Sequence, residues 1–260
     1  MRIDQLLVHR GLASTRSQAQ RLVAAGVQWR DCETWRPVVK NGDEVPGDAP
    51  VRLLDDAEAR YVSRGGLKLE AALKQVCLPV SGLVCLDVGQ STGGFTDCLL
   101  QHGAARVVGI DVGSAQLHPN LRQDARVRCL EGVNARHLDA TDLIAAYADG
   151  TSVAGQFDLI VMDLSFISQT LVLPAVLPLL KIGGTLLSLV KPQFELQAAQ
   201  VGKGGIVKDA SHYRTVEQRL RSACIALGLV VQAWFDSPIA GGDGNREFFI
   251  HATKPNGRLP

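Results

Sequence analysis

The chain has 260 residues, of which 46% are hydrophobic and 20% are charged, and its formal net charge is +1. A chain of this length and hydrophobic content can bury a substantial core, which excludes a largely disordered protein. A net charge near zero excludes a uniformly basic nucleic-acid binder, so any basic surface has to be local.

The six cysteines are scattered and lack the paired spacing of a zinc site or a thiol redox motif. Free cysteines in apolar runs are typical of a reducing compartment, which predicts a cytoplasmic protein. The first residues have no apolar signal-peptide core, and the most apolar stretch, 171–190, is interrupted by prolines, a lysine and a glycine pair. We therefore predict no secretion, no membrane partner and no bound metal.

The first 30 residues predict a basic pair of short helices. Apolar residues recur at helical spacing through residues 3–27, Gly11 separates two helical patterns, and Gly26 ends the second. Ser14 or Thr15 is placed to cap the second helix. Five arginines stand against one aspartate in this stretch, so positive charge is concentrated here although the chain as a whole is nearly neutral.

The rest of the chain predicts a second, larger domain. Residues 38–54 predict short strands joined by turns, which gives an α+β module over 1–54, a polar linker over 55–63 and a domain over 64–260. From Leu83 onward, apolar runs alternate with helical patterns, which predicts a mostly parallel sheet with helices on both faces. The final strand follows a tight turn segment, so we expect it to run antiparallel.

A glycine-rich turn follows the first strand of this sheet. In LDVGQSTGGFTDCLL, Asp87 and three glycines lie between a buried strand and a helix, where backbone can approach a ligand closely. The spacing G-x-x-x-G-G differs from the G-x-G-x-x-G of dinucleotide-binding proteins, which disfavours a nicotinamide-dependent oxidoreductase and favours S-adenosylmethionine. Asp111 ends the second strand, where such folds bind ribose hydroxyls, and Asn134 after the third strand is placed to contact adenine.

A single glycine loop would fit an ordinary strand-to-helix turn equally well, but the succession of loop, acid and amide favours a cofactor site. The residues expected to bind the cofactor are Asp87, Gly89, Ser91, Thr92, Gly93, Gly94, Phe95, Asp111, Val112, Asn134 and Asp163.

The residues at the ends of the fourth and fifth strands limit which class of atom the enzyme can methylate. Asp163 in MDLSF lies where open α/β sheets bind ligands, but the proline pair typical of enzymes that methylate exocyclic amines does not follow it. Cysteine, the nucleophile of base-carbon methyltransferases, is absent from both strand ends. Lys191 stands there instead, and a desolvated lysine near an acid can accept or stabilise a proton from a sugar hydroxyl. Taken alone, Lys191 would be interpreted as a structural ion-pair partner.

Nine segments together resemble the TlyA family of ribosomal RNA 2′-O-methyltransferases. They are YVSRGGLKLEAAL, LDVGQSTGGFTDCLLQHGA, GIDVGSAQL, NAR, DLSFIS, LVKPQFE, VGKGGIV, SPIAGGDGNREF and, similar to the αL RNA-binding motif with which the family begins, RIDQLLVHRGLASTRSQAQRLVAAG. The resemblance implies a Rossmann-like class I methyltransferase fold with a mostly parallel seven-stranded sheet, preceded by a small α+β RNA-binding module. It further implies S-adenosyl-L-methionine as cofactor, ribosomal RNA or ribosomal subunits as partner, and methylation of a cytidine 2′-hydroxyl.

Ribose methyltransferases of the FtsJ class use a Lys-Asp-Lys-Glu tetrad, which the resemblance places at Lys68, Asp163, Lys191 and Glu247. It implies that Lys191 activates the 2′-hydroxyl, that the two carboxylates orient the lysines, and that Lys68 positions the substrate. Two cations and two anions balance in charge, which makes their burial together physically coherent. The arginines expected to bind RNA are Arg2, Arg10, Arg16, Arg21 and Arg64.

The chain departs from the family pattern at two places. The family's RNA-binding modules end in a strand of the form V-x-V-N-G, where this chain has VQWRDCETW, and Gln90 replaces the small residue expected in the cofactor loop. The family's historical hemolysin label leaves a membrane-active protein as an alternative, which the lack of an apolar span or a cationic amphipathic helix disfavours. An RNA-binding protein with an inactive methyltransferase fold is disfavoured by the complete loop and tetrad.

Overall fold

The computed structural model describes residues 1–54, 59–138, 157–241 and 244–256. The chain divides into two compact units, Met1–Leu67 and Lys68–Pro260. The linker predicted at 55–63 lies partly outside the described residues, and its end packs on the first unit. Ala59 contacts the apolar core of that unit, and the Tyr61 carbonyl accepts a hydrogen bond from Gln18 Nε2 at 3.2 Å.

The first unit is a helix pair followed by a three-stranded antiparallel sheet of order β2-β1-β3. Its elements are α1 (Ile3–His9), α2 (Arg16–Gly26), β1 (Val27–Asp31), β2 (Thr34–Pro37) and β3 (Val51–Leu53). The Thr15 side chain caps α2 by accepting from Gln18 N at 3.2 Å, and α2 ends at Gly26, as the sequence predicts. The apolar faces of both helices form the core, with Leu6 and Leu22 fully buried.

The strands of the first unit lie earlier than the sequence predicts. Strands were expected over 38–54, whereas β1 and β2 lie before this range and only β3 falls within it. The segment VQWRDCETW forms the β1–β2 hairpin, and its turn residue Cys32 has φ +56°, a conformation in which glycine or asparagine is usual. A turn without glycine, asparagine or proline gave no signal in the sequence.

The second unit contains a seven-stranded sheet of order β6-β5-β4-β7-β8-β10-β9, in which β10 runs antiparallel to both of its neighbours. The strands are β4 (Val84–Val88), β5 (Arg106–Asp111), β6 (Val127–Glu131), β7 (Phe157–Asp163), β8 (Leu180–Val190), β9 (Val230–Asp236) and β10 (Phe248–Thr253). Helix α3 (Arg64–Gln75) begins at the predicted RNA-binding Arg64, within the last residues of the first unit, and continues into the second. The other α-helices among the described residues of the second unit are α4 (Gly94–Gln101), α5 (Pro119–Arg122), α6 (Leu173–Val176), α7 (Pro192–Glu195) and α8 (Ser211–Ala226). The predicted mostly parallel, seven-stranded sheet with an antiparallel final strand is confirmed.

The sheet register brings three distant segments to one edge. Asp163, the last residue of β7, is paired with Leu189 near the end of β8. Because β10 runs antiparallel to β8, its first residue Phe248 is paired with Val190, the last residue of β8. Lys191, the residue after β8, and Glu247, the residue before β10, therefore lie close together beside the end of β7.

Among the residues that the structure describes, no helix combines the length and the hydrophobicity needed to cross a membrane. The same residues contain no cluster of three or more His, Cys, Asp or Glu side chains that could hold a metal ion.

Candidate active site

A cavity of about 530 Å³ opens at the carboxyl ends of β4, β5 and β7, where the strand order reverses. Mostly apolar walls with a few fixed polar groups are typical of a small-molecule site. The predicted cofactor residues that line this cavity are Gly89, Ser91, Asp111, Val112, Asn134 and Asp163.

Backbone groups orient the polar side chains of the cavity. Asp111 Oδ2 accepts from Ser91 N at 2.8 Å, and Asp111 Oδ1 accepts from Gly113 N at 2.7 Å. Asn134 accepts from Arg136 N at 3.0 Å through its side-chain oxygen, so this bond does not use the amide nitrogen. A carboxylate held in this way can accept hydrogen bonds from ribose hydroxyls, and the carboxamide can donate to a base.

The other predicted cofactor residues are not among those that line the cavity. They are Asp87, Thr92, Gly93, Gly94 and Phe95. Asp87 is fully buried, and burial raises its pKa to about 7. Gly93 has φ +95° and precedes α4, and a Cβ atom there would lie 2.4 Å from Leu121 Cδ1. These two residues shape the glycine loop and do not face the cavity.

Two ion pairs lie at the strand ends next to the cavity. Lys191 Nζ is 2.6 Å from Asp163 Oδ1 and donates to Ser165 Oγ at 2.9 Å. Lys68 Nζ is 2.5 Å from Glu247 Oε2. The side chains of Lys68 and Glu247 are only 9% and 3% exposed, whereas those of Lys191 and Asp163 are 14% and 24% exposed. The Lys68–Glu247 pair is therefore buried in the protein, and the Lys191–Asp163 pair borders the cavity.

The two pairs interact as one group of four charges. Burial raises the pKa of the Glu247 carboxyl, the positive charges of Lys68 and Lys191 oppose this rise, and the negative charge of Asp163 adds to it. The sheet register explains this proximity, because it places Asp163, Lys191 and Glu247 at the same edge. The structure thus brings together all four residues of the predicted tetrad.

The sequence did not point to Phe166 as a functional residue. Its side chain is 90% exposed, its φ is +65°, and it lines the cavity three residues after Asp163. The ring contacts that of Phe194, with ring centroids 4.9 Å apart. An exposed aromatic ring in a conformation unusual for a bulky residue is typical of a binding site.

Three of the arginines predicted to bind RNA also stabilise the first unit. Arg2 and Arg16 each lie 3.0 Å from the fully buried Asp4 and hold its pKa at about 2. Arg10 donates to two backbone carbonyls between 47 and 49, at 2.7 and 2.6 Å. Arg21 on α2 donates to a backbone carbonyl one turn earlier at 3.2 Å. Arg16, with a side chain 55% exposed, can still reach a ligand in solution.

Comparison with known protein families agrees with this geometry. A model of the FtsJ-like methyltransferases matches residues 61–254, and a model of the S4 domain matches residues 1–26. The chain belongs to the FtsJ-like methyltransferase family. As a member of this family it is an S-adenosylmethionine-dependent enzyme, which confirms the cofactor predicted from the glycine loop.

Relatives of this FtsJ-like methyltransferase include proteins named for RNA methylation and proteins named as hemolysins. The chain is 41% identical over 255 residues to the 16S/23S rRNA (cytidine-2′-O)-methyltransferase TlyA of Mycobacterium tuberculosis, covering 96% of this chain and 88% of the relative. It is 36% identical to Hemolysin A of Brachyspira hyodysenteriae, covering 96% and 99% respectively. A solved structure of a candidate hemolysin from Streptococcus thermophilus is 39% identical, with a TM-score of 0.73, and covers 99% of this chain and 90% of that one. The predicted membership of the TlyA family is confirmed.

Proposed function

We propose that this enzyme methylates the 2′-hydroxyl of a cytidine in ribosomal RNA. The observation that carries the proposal is the Lys191–Asp163 ion pair at the border of the cavity, coupled by charge to the buried Lys68–Glu247 pair. The same reaction is the one for which TlyA of M. tuberculosis is named.

The cavity residues fit S-adenosylmethionine. Asp111 would accept hydrogen bonds from the ribose hydroxyls, and Asn134 together with the apolar wall would hold the adenine. Gly89 allows the loop to pass the end of β7, because a Cβ atom there would lie 2.6 Å from the Asp163 carbonyl oxygen. When bound, the sulfonium group of this cofactor supplies an electrophilic methyl group.

The tetrad prepares the hydroxyl for attack. A ribose hydroxyl is a weak nucleophile at neutral pH, so its proton has to be accepted or its developing negative charge stabilised. The Lys191 amine performs this role, and Asp163 and Ser165 hold it at the border of the cavity. Glu247 offsets part of the positive charge of Lys191, and Lys68 neutralises Glu247 within the buried interior.

Phe166 provides a surface on which the target base can stack. We expect Phe166→Ala to raise the KM for RNA about tenfold, because stacking of a base on an aromatic ring contributes roughly 1–3 kcal/mol. Phe166→Tyr keeps the ring and should stay close to wild type in KM. Steady-state kinetics with a ribosomal RNA fragment measure both, and equal KM values for Phe166→Ala and wild type would remove this role.

The two parts of the chain divide binding and chemistry between them. The proposed S4-type module over 1–54 supplies affinity for RNA, the segment 55–63 links it, and the domain over 64–260 carries the cofactor site and the tetrad. Arginines on the helix pair would contact phosphates through charge, which orients the RNA without specifying sequence. Ribosomal RNA as substrate implies that the enzyme acts in the cytoplasm.

Replacing Arg16 and Arg21 together by alanine should weaken RNA binding and reduce its dependence on salt. The slope of log affinity against log salt concentration is negative, and each lost phosphate contact reduces its magnitude by about 1, so the double variant should reduce the magnitude by about 2. Arg36→Ala is the matched control, because it removes an exposed arginine paired with Asp31 in the same unit. Fluorescence anisotropy over a salt series provides the slopes. If the double variant keeps the wild-type slope, these two arginines do not contact phosphate.

Product analysis tests the proposed function directly. Ribosomal RNA treated with the protein and methyl-labelled S-adenosylmethionine should yield labelled 2′-O-methylcytidine by nucleoside mass spectrometry. The phosphodiester next to it should resist alkali, because the methyl group blocks the oxygen that attacks the phosphorus. Label on a base, with alkaline cleavage intact, would contradict the proposal. RNA binding without any transfer of label would favour the inactive-fold alternative.

A further inference from the structure

Gln90 lies inside the protein although the glycine-rich turn to which it belongs is partly exposed. It is 3% exposed, whereas the next residue, Ser91, is exposed. Its carboxamide lies over Gly109 in the neighbouring strand β5, where a Cβ atom would be 1.9, 2.0 and 2.2 Å from Cδ, Nε2 and Oε1 of Gln90. Gln90 in this position therefore requires glycine at 109.

The Gln90 carboxamide connects the loop to a buried chain of hydrogen bonds. Gln90 Nε2 donates to Thr96 Oγ1 at 2.9 Å, and Thr96 Oγ1 donates to Asp87 Oδ2 at 2.7 Å. Thr96 and Asp87 are fully buried. Since Asp87 belongs to β4 and Thr96 to the first turn of α4, the chain joins the strand before the glycine loop to the helix after it.

The hydrogen bonds from Gln90 through Thr96 to Asp87 are poorly explained by a contribution to folding stability. Within the described residues, Asp87 Oδ1 and Gln90 Oε1 are buried and accept no hydrogen bond. Burial also raises the pKa of Asp87 to about 7. Unsatisfied buried polar atoms and a desolvated carboxyl both cost folding free energy, so an apolar side chain at 90 would be the more stabilising choice.

The position of Gln90 determines where the loop backbone points. Gln90 N donates to the Ile110 carbonyl at 3.1 Å, and the Gln90 carbonyl accepts from Gly93 N at 2.8 Å. The next amide along, Ser91 N, donates to Asp111, the carboxylate that lines the cavity. A shift of Gln90 would therefore displace both the glycine turn and the donor that orients Asp111.

We infer that Gln90 is a positioning residue for the cofactor loop and that Gly109 is its required counterpart. The inference rests on the proposed function only in taking the cavity as the S-adenosylmethionine site. Gln90 contacts the protein and not the cavity, so its effect on the cofactor is transmitted through the backbone of residues 89–93.

A double-variant cycle on the full chain tests the inference. Gln90→Ala should weaken S-adenosylmethionine binding about fivefold, as expected for the loss of one hydrogen bond. Gly109→Ala should weaken it by about tenfold or more, because the new Cβ displaces the carboxamide. In the Gln90→Ala background the space is free, so Gly109→Ala should add less than about twofold. Calorimetry with S-adenosylmethionine measures all four affinities, and the double variant keeps the test valid if Gly109→Ala alone does not fold.

Gln90→Met separates positioning by hydrogen bonding from simple packing. Methionine fills the same space over Gly109 but cannot donate to Thr96, so the KM for S-adenosylmethionine should rise about fivefold while kcat at saturation stays within about twofold. Wild-type affinity for Gln90→Met, or an equal effect of Gly109→Ala in both backgrounds, would overturn the inference. If the wild type did not bind S-adenosylmethionine, the proposed function would be refuted instead. The melting temperatures of the wild type, the two single variants and the double variant would then still show whether Gln90 and Gly109 are coupled.

Discussion

Lys191→Ala is expected to lower methyl transfer by about three orders of magnitude, while the affinity for S-adenosylmethionine stays within about twofold. The Lys191 amine is held 2.6 Å from Asp163 and 2.9 Å from Ser165, and its removal takes away the group proposed to accept the proton of the hydroxyl or to stabilise its developing negative charge. The contacts proposed for the ribose and the adenine of the cofactor lie on Asp111 and Asn134, which the substitution does not alter. Single-turnover rates and calorimetry measure the two quantities.

Lys181→Ala is the matched control for this prediction. Lys181 pairs with Asp158 at 2.7 Å on the same two strands, β8 and β7, at the opposite end of the sheet. Both variants remove a lysine from an ion pair, but only Lys191→Ala should lose activity. Lys191→Arg distinguishes the two possible roles, because it keeps the positive charge but cannot act as a base. A Lys191→Ala rate within about tenfold of wild type would contradict the assigned mechanism.

The sequence predicted the sheet and the cavity because both depend on local pattern. Alternating apolar runs and helical periods identify parallel strands, and the carboxyl ends of parallel strands meet at one edge. Asp111, Asn134 and Asp163 follow separate strands, so their convergence on one cavity could be expected without knowledge of any contact.

The buried ion pair of the tetrad could not be predicted in this way. Lys68 and Glu247 are separated by 179 positions, and neither stands out by periodicity or spacing. Only the resemblance to a family with a known tetrad pointed to them. Glu247 reaches the site because β10 is antiparallel to β8, a long-range pairing that local sequence does not encode.

Side-chain direction was the other property that the sequence pattern left open. Asp87 was expected to contact the cofactor, yet it is fully buried and accepts from Thr96. Phe166 is the reverse case, since this apolar residue, three positions after a buried strand, is 90% exposed. Asp87 lies within β4, where the pleat of the strand sets its direction. Phe166 lies after β7, where its backbone conformation, with φ +65°, sets the direction of the ring.

Gly93→Val is expected to remove measurable binding of S-adenosylmethionine. Gly93 has φ +95°, which a β-branched side chain can adopt only with strain, and its Cβ atom would lie 2.4 Å from Leu121 Cδ1 and 2.7 Å from Leu117 Cδ1. Leu117 directly follows the cavity residue Gln116, and Leu121 lies further along the chain, in α5. Valine therefore has to displace both the glycine turn and the segment that contains these leucines, and the affinity should fall by more than about 100-fold.

Gly82→Val separates this local effect from backbone strain alone. Gly82 has φ +78° and lies before β4, at the end of the sheet away from the cavity, and a Cβ atom there would have no neighbour within 4 Å. Both variants place valine at a positive φ, which costs roughly 1–3 kcal/mol of folding free energy, so both melting temperatures should fall. Calorimetry should show cofactor binding in Gly82→Val and none in Gly93→Val. Equal loss of cofactor binding in both variants would mean that general destabilisation explains the result. If both variants kept wild-type affinity for S-adenosylmethionine, the glycine turn would not be part of the cofactor site.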